Sequence, residues 1–229
     1  LEPESWLAEY GRHQYEITVS RADAVAAADR AVLVRDIVRD VFSAAGHRTT
    51  FSPMASPGQS GNGVHVHFGL ADDQGRNAMF APQRPGRLSE LGGRFAAGIL
   101  RHASALAAIF APLSISYLRL RPHQWSSAGV FLGLHNREAL LRLCPTVEIG
   151  GKDPAPQLHL EFRGADIGAN PWLLLGALLQ AGMDGLRTGM DPAEVQVGEV
   201  DPADPGSVVG ELPHHLGQAL DLFENDPVV

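Results

Sequence analysis

Strand-type and helix-type segments follow one another in an irregular order, and this order is the feature that most constrains the fold of the chain. Segments in which polar and apolar residues alternate with period two predict strands, and apolar residues at helical spacing predict the helices between them. The predicted strands are Gln14–Val19, Val64–Leu70, Ser114–Arg121, Val130–His135 and Leu158–Arg163. Because a parallel sheet needs strict alternation of strands and helices, we expect an α+β fold with a largely antiparallel sheet.

The predicted helices carry recognisable end signals. Asp23 is a suitable N-cap for an amphipathic helix that reaches about Ala45, and the Asn170-Pro171 pair opens a long apolar helix. Two further helices are expected over Leu88–Phe110 and Leu216–Phe223. Beyond Gly189 the composition shifts to Asp, Pro, Gly and Glu, which predicts an exposed irregular stretch before the last helix.

Composition and charge exclude several classes of protein. The chain has 229 residues, 45% of them hydrophobic, which is enough to bury a core as one large domain or two small ones. A net charge of -8 has the wrong sign for binding nucleic acid over the whole surface. The sequence shows no apolar stretch as long as a membrane span, and its one cysteine, Cys144, cannot form an internal disulfide. We therefore expect a cytoplasmic protein with neither nucleic acid nor membrane as a partner.

A His-x-His pair forms the first candidate site. On their predicted strand, His65 and His67 lie on one face, about 6.5–7 Å apart, so both imidazoles can reach one ligand. Glycines in the preceding Ser60-Gly61-Asn62-Gly63 segment permit close approach of the backbone to a ligand. The alternative is a pair of histidines on a solvated sheet face without a function.

A later strand carries three ionisable residues on one face. His159, Glu161 and Arg163 alternate with apolar residues there, so an imidazole, a carboxylate and a guanidinium form a row. A surface ion pair between Glu161 and Arg163 is the alternative to a functional site.

Carboxylates elsewhere in the chain add to a candidate metal site. Glu16 lies on the polar face of its predicted strand, and Glu9 precedes that strand. Two such carboxylates, with a third from Glu161 and one histidine, suit Mg²⁺ or Mn²⁺, which prefer oxygen ligands. Zinc is less favoured because Cys144 stands alone in the sequence.

Arginines are concentrated in the middle of the chain. Arg119 and Arg121 share one face of a predicted strand, and Arg137 and Arg142 follow shortly after. Guanidinium groups bind carboxylate and phosphate, although solvated surface arginines are the alternative. Their place beside candidate metal carboxylates suggests an anionic substrate with metal-bound phosphates. The sequence shows neither the Walker nor the dinucleotide glycine fingerprint, so those motifs give no support for nucleotide binding.

Five ordered blocks along nearly the whole chain resemble the catalytic domain of the glutamine synthetase family. The first two are Glu9-Tyr-Gly-Arg-His-Gln-Tyr-Glu16, similar to the family's Glu…Gly-Gln-Tyr-Glu, and Gly61-Asn-Gly-Val-His65-Val-His67, similar to Gly-Ser-Gly-Met-His-Val-His. The others are Ser116-Tyr-Leu-Arg119-Leu, Asn136-Arg137-Glu-Ala-Leu-Leu-Arg142, and Glu161-Phe-Arg163 followed by Ala169-Asn170-Pro171. The resemblance implies a curved, largely antiparallel sheet flanked by helices.

The resemblance also implies an activity and a set of metal ligands. Family members of this kind are ATP-dependent ligases that join the γ-carboxylate of glutamate to an amine through a γ-glutamyl phosphate intermediate. Carried over to this chain, Glu9 and Glu16 bind one divalent cation, Mg²⁺ or Mn²⁺. His65 and Glu161 bind the second.

Substrate contacts follow from the same resemblance. Arg119 and Arg163 hold glutamate, and Gly61 offers backbone contact. His67 and His159 lie near the ATP phosphates. The resemblance further implies that Arg137 and Arg142 bind ATP and neutralise the transferring phosphoryl group, and that Arg163 also takes part in catalysis.

Trp125 is the main departure from the family pattern. It follows Arg121-Pro122-His123-Gln124, in a segment where glutamine-forming members carry a glutamate that binds ammonium. A neutral indole lacks the full charge that attracts a small cation, but its face can contact a larger organic ammonium. Trp125 therefore favours an amine substrate over ammonia.

The resemblance implies an organisation as well. We expect one catalytic domain over residues 1–229 that lacks the family's N-terminal β-grasp domain and last helices, and a homo-oligomeric ring in the full-length protein. Three alternatives remain open: an ammonia-using glutamine synthetase, a catalytically idle member that acts as a binding or structural protein, and a His-x-His metallohydrolase that works without ATP.

Overall fold

Two sheets and five helices make up the part of the chain that the computed structural model describes, which is residues 1–121, 126–127, 129–198, 200 and 210–229. The strands are β1 (Pro3–Ala8), β2 (Tyr15–Val19), β3 (Val66–Phe68), β4 (Gly129–Leu134), β5 (Ala139–Leu143), β6 (Leu160–Phe162) and β7 (Val195–Val197). The helices are α1 (Ala24–Ala44), α2 (Glu90–Arg101), α3 (Ala103–Phe110), α4 (Pro171–Arg187) and α5 (Leu216–Glu224). The predicted α+β class is confirmed. None of the helices in these ranges is long and apolar enough to cross a membrane.

The main sheet is mixed rather than largely antiparallel. Its order is β3-β6-β5-β4-β7, and a separate antiparallel hairpin is formed by β1 and β2. The pairs β3–β6 and β6–β5 are antiparallel as predicted, but β5–β4 and β4–β7 are parallel. The sequence misleads here because only residues 135–138 connect β4 to β5, and so short a connection normally joins antiparallel strands.

The strand predicted over Ser114–Arg121 is wrong. Residues Ser114–Leu118 form a 3₁₀ turn instead, in which the backbone N–H of Leu113 donates to Ser116 Oγ at 3.3 Å. Such a side-chain hydrogen bond offers the backbone an alternative to a strand ladder. Arg119 and Arg121 therefore do not share a strand face; Arg119 is buried and Arg121 is exposed.

The ends of the helices agree with the sequence-based prediction better than the strands do. Asp23 caps α1 by accepting from the backbone N–H of Ala26, and Asn170 caps α4. The long helix predicted over Leu88–Phe110 is divided at His102 into α2 and α3. Helices α2 and α4 approach closely at Gly98 and Gly185, where an added Cβ would clash with a backbone carbonyl of the facing helix.

His102 lies at the break between α2 and α3, and its side chain contacts Asp226 near the end of the chain. Its ring nitrogens lie 2.7 Å from Asp226 Oδ2 and 3.2 Å from Asp184 Oδ2, and the residue is 3% exposed. Burial raises the pKa of Asp226, but hydrogen bonds from His102 and from the backbone N–H groups of Val228 and Val229 outweigh it and hold the pKa below its usual value. Because the folded pKa is depressed, this stabilisation is present at neutral pH and is lost as the pH falls through that pKa.

Replacing His102 with leucine is expected to lower the free energy of unfolding by about 2–4 kcal/mol at neutral pH, because two partly buried carboxylates lose their shared partner. Denaturant unfolding of the variant measures the loss. His214→Leu is the matched control, since His214 is exposed and its Nε2 lies 3.8 Å from the carboxylate of the exposed Glu211. Equal stability of the two variants would contradict the role given to His102.

Candidate functional site

Glu161 lies at the centre of the candidate site because β6 runs between β3 and β5. The sheet register places His67 of β3 opposite Glu161 on one side and Arg142 of β5 opposite it on the other. Side chains directly opposite on neighbouring strands are close enough to interact. The three residues form one polar row across the sheet, with the carboxylate in the middle.

The Glu161 carboxylate is almost fully buried and is held by positive groups at both oxygens. It is 1% exposed, Arg163 Nη1 donates to Oε1 at 2.5 Å, and Arg142 Nε lies 2.6 Å from Oε2. Burial by itself raises the pKa of this carboxyl, but Arg163, His65 and Arg142 outweigh it and hold the pKa below its usual value. The ion pair of Glu161 with Arg163 is therefore present but buried, and Glu161 is an anion at neutral pH.

Both histidines of the His-x-His pair reach this carboxylate. His65 Nδ1 lies 3.3 Å and His67 Nε2 lies 3.8 Å from Glu161 Oε1. Burial and the charge of Arg163 lower the pKa of His65 to about 3, although Glu161 acts in the opposite direction. A neutral imidazole is the form that binds a metal ion. His65 and Glu161 are thus close enough, and in the right forms, to share a cation.

The β1–β2 hairpin brings two further carboxylates to the site. Glu9 directly follows β1, Glu16 lies in β2, and the two side chains are close enough for Glu9 to raise the pKa of Glu16. Burial, the contact with Glu9 and the charge of Glu161 raise the pKa of Glu16, while Arg163 lowers it to a smaller extent. Two ionised carboxylates this close repel each other unless a cation lies between them. The donor set therefore fits a hard divalent cation such as Mg²⁺ or Mn²⁺.

Replacing Glu16 with glutamine is expected to have opposite effects on folding and on metal binding. Removing one of two repelling charges should raise the free energy of unfolding of the metal-free protein by a few tenths of a kcal/mol. The same change should weaken Mn²⁺ binding by at least about 10-fold, because a carboxylate ligand is lost. Thermal unfolding and equilibrium dialysis measure the two effects. Glu4→Gln, on the exposed part of β1, should change neither the free energy of unfolding nor Mn²⁺ binding. A Glu16→Gln variant with a lower free energy of unfolding and an unchanged Mn²⁺ affinity would contradict the assignment.

Arg119 is buried beneath the glycine-containing loop. Its Nη2 donates to the backbone carbonyls of Gly164 at 2.5 Å and Ala165 at 2.7 Å. Burial and Arg163 lower its pKa to about 10, against the effect of Asp166, so the guanidinium remains charged at neutral pH. The loop passes directly over this side chain at Gly61, where an added Cβ would lie 2.6 Å from Arg119 Cγ. Glycine is needed there for the close approach of the loop to Arg119, whereas the predicted approach to a ligand stays a prediction.

A broad cleft of about 3080 Å³ contains these groups. All the predicted site residues that the structure describes line it: Glu9, Glu16, Gly61, His65, His67, Arg119, Arg137, Arg142, His159, Glu161 and Arg163. Arg137 is exposed, and its carbonyl accepts a hydrogen bond from Arg163 Nε at 2.9 Å. Trp125 lies outside the described residues.

The sequence interpretation missed the roles of three residues in this region. Gln14 ties the hairpin to the loop by donating from Nε2 to the Gly61 carbonyl at 3.0 Å and to Asn62 Oδ1 at 2.7 Å. Asp166 is fully buried close to Arg119, and burial raises its pKa. Cys144 lies beside His67 at 3.9 Å, so it does not stand alone in the fold. Only the contacts between distant segments reveal these residues, and single-sequence periodicity carries no signal for them.

Comparison with known proteins points to one family. The family model described as glutamine synthetase, catalytic domain, matches residues 1–229. The chain is 35% identical to a protein of Streptomyces coelicolor named gamma-glutamylpolyamine synthetase GlnA3, and 34% identical to a glutamine synthetase of Thermococcus kodakarensis. Each match covers 100% of this chain but only 49% and 50% of the relatives, so the chain spans about half the length of the curated relatives it matches.

Solved structures agree with this result. A protein described as a novel glutamine synthase homolog superposes with a TM-score of 0.87 at 46% identity, over 98% of this chain and 50% of that one. A GmaS complex with ADP superposes with a TM-score of 0.83 at 31% identity, over 98% of this chain and 51% of that one. The fold and the arrangement of the strands are therefore shared with these proteins.

Proposed function

The chain belongs to the glutamine synthetase family, whose catalytic-domain model it matches throughout, and we propose that the protein is an ATP-dependent ligase that joins the γ-carboxylate of glutamate to an amine. The observation that carries this proposal is the buried Glu161, whose carboxylate contacts Arg142, Arg163 and His65. Glu9 and Glu16 line the same cleft. In the proposed reaction a glutamate γ-oxygen attacks the terminal phosphorus of ATP and ADP leaves. The amine nitrogen then attacks the acyl carbon, loses a proton and expels phosphate.

Divalent metal ions fit the carboxylates of the cleft. Members of the family use ATP and a divalent metal, and we propose Mg²⁺ or Mn²⁺ here, with Glu9 and Glu16 at one position and His65 and Glu161 at the other. When bound, such ions neutralise charge on the phosphate and carboxylate oxygens and hold them together. Glu161 supports this arrangement because its ion pairs keep it ionised.

Arginines of the cleft are proposed to bind the two anionic substrates. Arg119 and Arg163 are buried or nearly so, and their own hydrogen bonds fix them in place, which orients a bound carboxylate without further ordering. Arg137 and Arg142 lie nearer to solvent, where they neutralise the charge that develops on the transferred phosphoryl group. His67 Nδ1 lies 2.9 Å from His159 Nε2, and the two histidines are proposed to contact the ATP phosphates.

The choice of amine rests on the sequence, because Trp125 lies outside the described residues. A tryptophan in place of a carboxylate favours an organic ammonium over ammonium itself. The Streptomyces relative is named for polyamine glutamylation, which supports this choice. An ammonia-using glutamine synthetase is the second candidate, and the name of the Thermococcus relative favours it.

Phosphate release from ATP tests the proposal. The intact protein is assayed with Mg²⁺ or Mn²⁺, with and without glutamate, across ammonium, small monoamines and polyamines. We expect release that requires both glutamate and an organic amine. Release driven by ammonium alone would favour glutamine synthetase, and no release with any amine would favour a catalytically idle family member.

We also propose that the intact protein is a homo-oligomer, as the family resemblance implies. Large apolar side chains of the hairpin and α1 are exposed in this chain, with Trp6, Leu7 and Val41 at 50%, 53% and 60%. Exposed large apolar side chains of this kind are typical of surfaces that subunit contacts cover. Light scattering on the intact protein should give a mass of several subunits, and a monomer would contradict the proposal.

A further inference from the structure

The side chains of His67, Cys144 and His159 converge at the edge of the cleft, and the sequence interpretation assigned no common role to them. One ligand atom from each lies within 4.8 Å of the others. His67 Nδ1 is 2.9 Å from His159 Nε2 and 3.9 Å from Cys144 Sγ. Zinc bonded tetrahedrally to imidazole and thiolate would set these edges at about 3.3 Å and about 3.6 Å. Two of the edges thus differ from zinc geometry by a few tenths of an ångström, and the third, which is at most 4.8 Å, closes by a movement of about 1 Å or less.

The backbone holds the ligands in place. The N–H of Cys144 donates to the carbonyl of His159 at 3.1 Å, which joins the end of β5 to the start of β6. His67 lies in β3, and β3 pairs with β6. Three segments that are distant in sequence are thus fixed together by the sheet, so the cluster does not depend on a mobile loop.

Hydrogen bonds fix the ring of His159 in the orientation that a metal ligand needs and hold His67 against it. His159 Nδ1 lies 2.6 Å from the carbonyl of Gln157, which can only accept, so Nδ1 carries the proton and Nε2 offers its lone pair to the cluster. His67 Nδ1 therefore donates to His159 Nε2 in the metal-free protein, and metal binding requires the His67 proton to move to Nε2, which lies 3.8 Å from the Glu161 carboxylate. Arg142 Nη2 and Glu161 Oε2 both lie 3.8 Å from Cys144 Sγ, so the guanidinium offsets the negative charge that the carboxylate places beside the sulfur.

We propose that His67, Cys144 and His159 bind a borderline-soft divalent metal ion, with Zn²⁺ as the ion that the donor set fits best. Imidazole and thiolate select zinc over Mg²⁺ or Mn²⁺, which prefer oxygen. Three protein ligands leave the fourth position open toward the cleft. Binding replaces the thiol proton with the metal ion, and that proton goes to solvent. The site is separate in its donor atoms from the carboxylate positions of Glu9 and Glu16, although His67 lies in contact with Glu161.

Cobalt substitution tests the site without an activity assay. The intact protein is stripped of metal and titrated with Co²⁺, and a thiolate-to-cobalt charge-transfer band is followed in the near ultraviolet. We expect the band to saturate at one Co²⁺ per chain, Zn²⁺ to displace it, and excess Mg²⁺ to leave it unchanged. In Cys144→Ser the band should be lost and Zn²⁺ affinity should fall at least about 10-fold, with the circular dichroism spectrum unchanged.

Two controls separate this site from other metal binding. Glu16→Gln removes a carboxylate of the proposed Mg²⁺ or Mn²⁺ position and should keep the band, and His214→Gln removes an exposed histidine and should also keep it. A native protein without the band, or a band that survives Cys144→Ser, would overturn the proposal. An inhibition arm rests on the proposed function: Zn²⁺ should inhibit phosphate release competitively with ATP in the native protein but not in Cys144→Ser. Failure of that arm alone, with the band present, would count against the proposed function rather than against the site.

Discussion

Glutamine in place of Glu161 is expected to lower glutamate-dependent phosphate release by about 10³-fold or more. The variant keeps the shape of the side chain but removes a buried negative charge that contacts Arg142, Arg163 and His65. Loss of one preorganised charged group at a phosphoryl-transfer site costs about 10²–10³-fold in kcat, and here the proposed metal position is weakened as well. Steady-state kinetics and Mn²⁺ binding measure the two contributions.

The same substitution should reduce stability, because the buried Arg163 and the partly buried Arg142 lose their shared partner. Breaking a buried ion pair costs about 3–5 kcal/mol. Since the folded pKa of Glu161 is depressed, its contribution is present at neutral pH and is lost as the pH falls through that pKa. The native protein should therefore approach the stability of Glu161→Gln on acidification.

Glu148→Gln is the matched control for this experiment. Glu148 pairs with Arg87 at 2.5 Å, but both side chains are substantially exposed, and exposed pairs contribute about 0–1 kcal/mol. Near-native activity of Glu161→Gln in a correctly folded protein would contradict the central place given to Glu161.

Lysine in place of Arg119 is expected to produce the second-largest effect. Arg119 is 2% exposed, and its Nη2 satisfies two backbone carbonyls. A lysine has neither the planar fork nor the reach to donate to both, so we expect unfolding to become easier by about 2–3 kcal/mol. If Arg119 also holds the glutamate carboxylate, KM for glutamate should rise at least about 10-fold while KM for ATP changes little.

The neighbouring Arg121 provides the control for this prediction. It is exposed and lies only two residues further along the chain, so Arg121→Lys should leave stability and both KM values near native. Comparable effects of the two substitutions would show that the effects do not come from the burial of Arg119. A loss of stability in Arg119→Lys without any change in KM would limit Arg119 to a structural role.

Period-two patterns predicted the site better than they predicted the sheet. His65 and His67 reach one carboxylate, and Glu161 and Arg163 pair, because alternation in a strand places side chains on a common face whatever the neighbouring strands do. Whether β4 and β5 pair in parallel or antiparallel depends instead on the path of the connection between them, and the sequence of residues 135–138 does not predict that path.

Long-range contacts account for what the sequence could not predict. Ser114 and Ser116 alternate with Ile115 and Tyr117 like a strand, yet Ser116 accepts a local hydrogen bond within a 3₁₀ turn, and Arg119 directly after this turn is buried. Cys144 gains two histidine neighbours only because β5, β6 and β3 are adjacent. A lone cysteine in a sequence therefore does not exclude a thiolate site in the fold.

The most direct test of the account follows the oxygen atoms of glutamate. Glutamate labelled with a heavy oxygen isotope in its γ-carboxylate is turned over by the intact protein with ATP and the best amine, and the released phosphate is analysed by mass spectrometry. Attack of the γ-carboxylate on ATP predicts that each phosphate carries one oxygen from glutamate. Unlabelled phosphate, released at the same rate with or without glutamate, would contradict the ligase chemistry and show that the protein hydrolyses ATP directly.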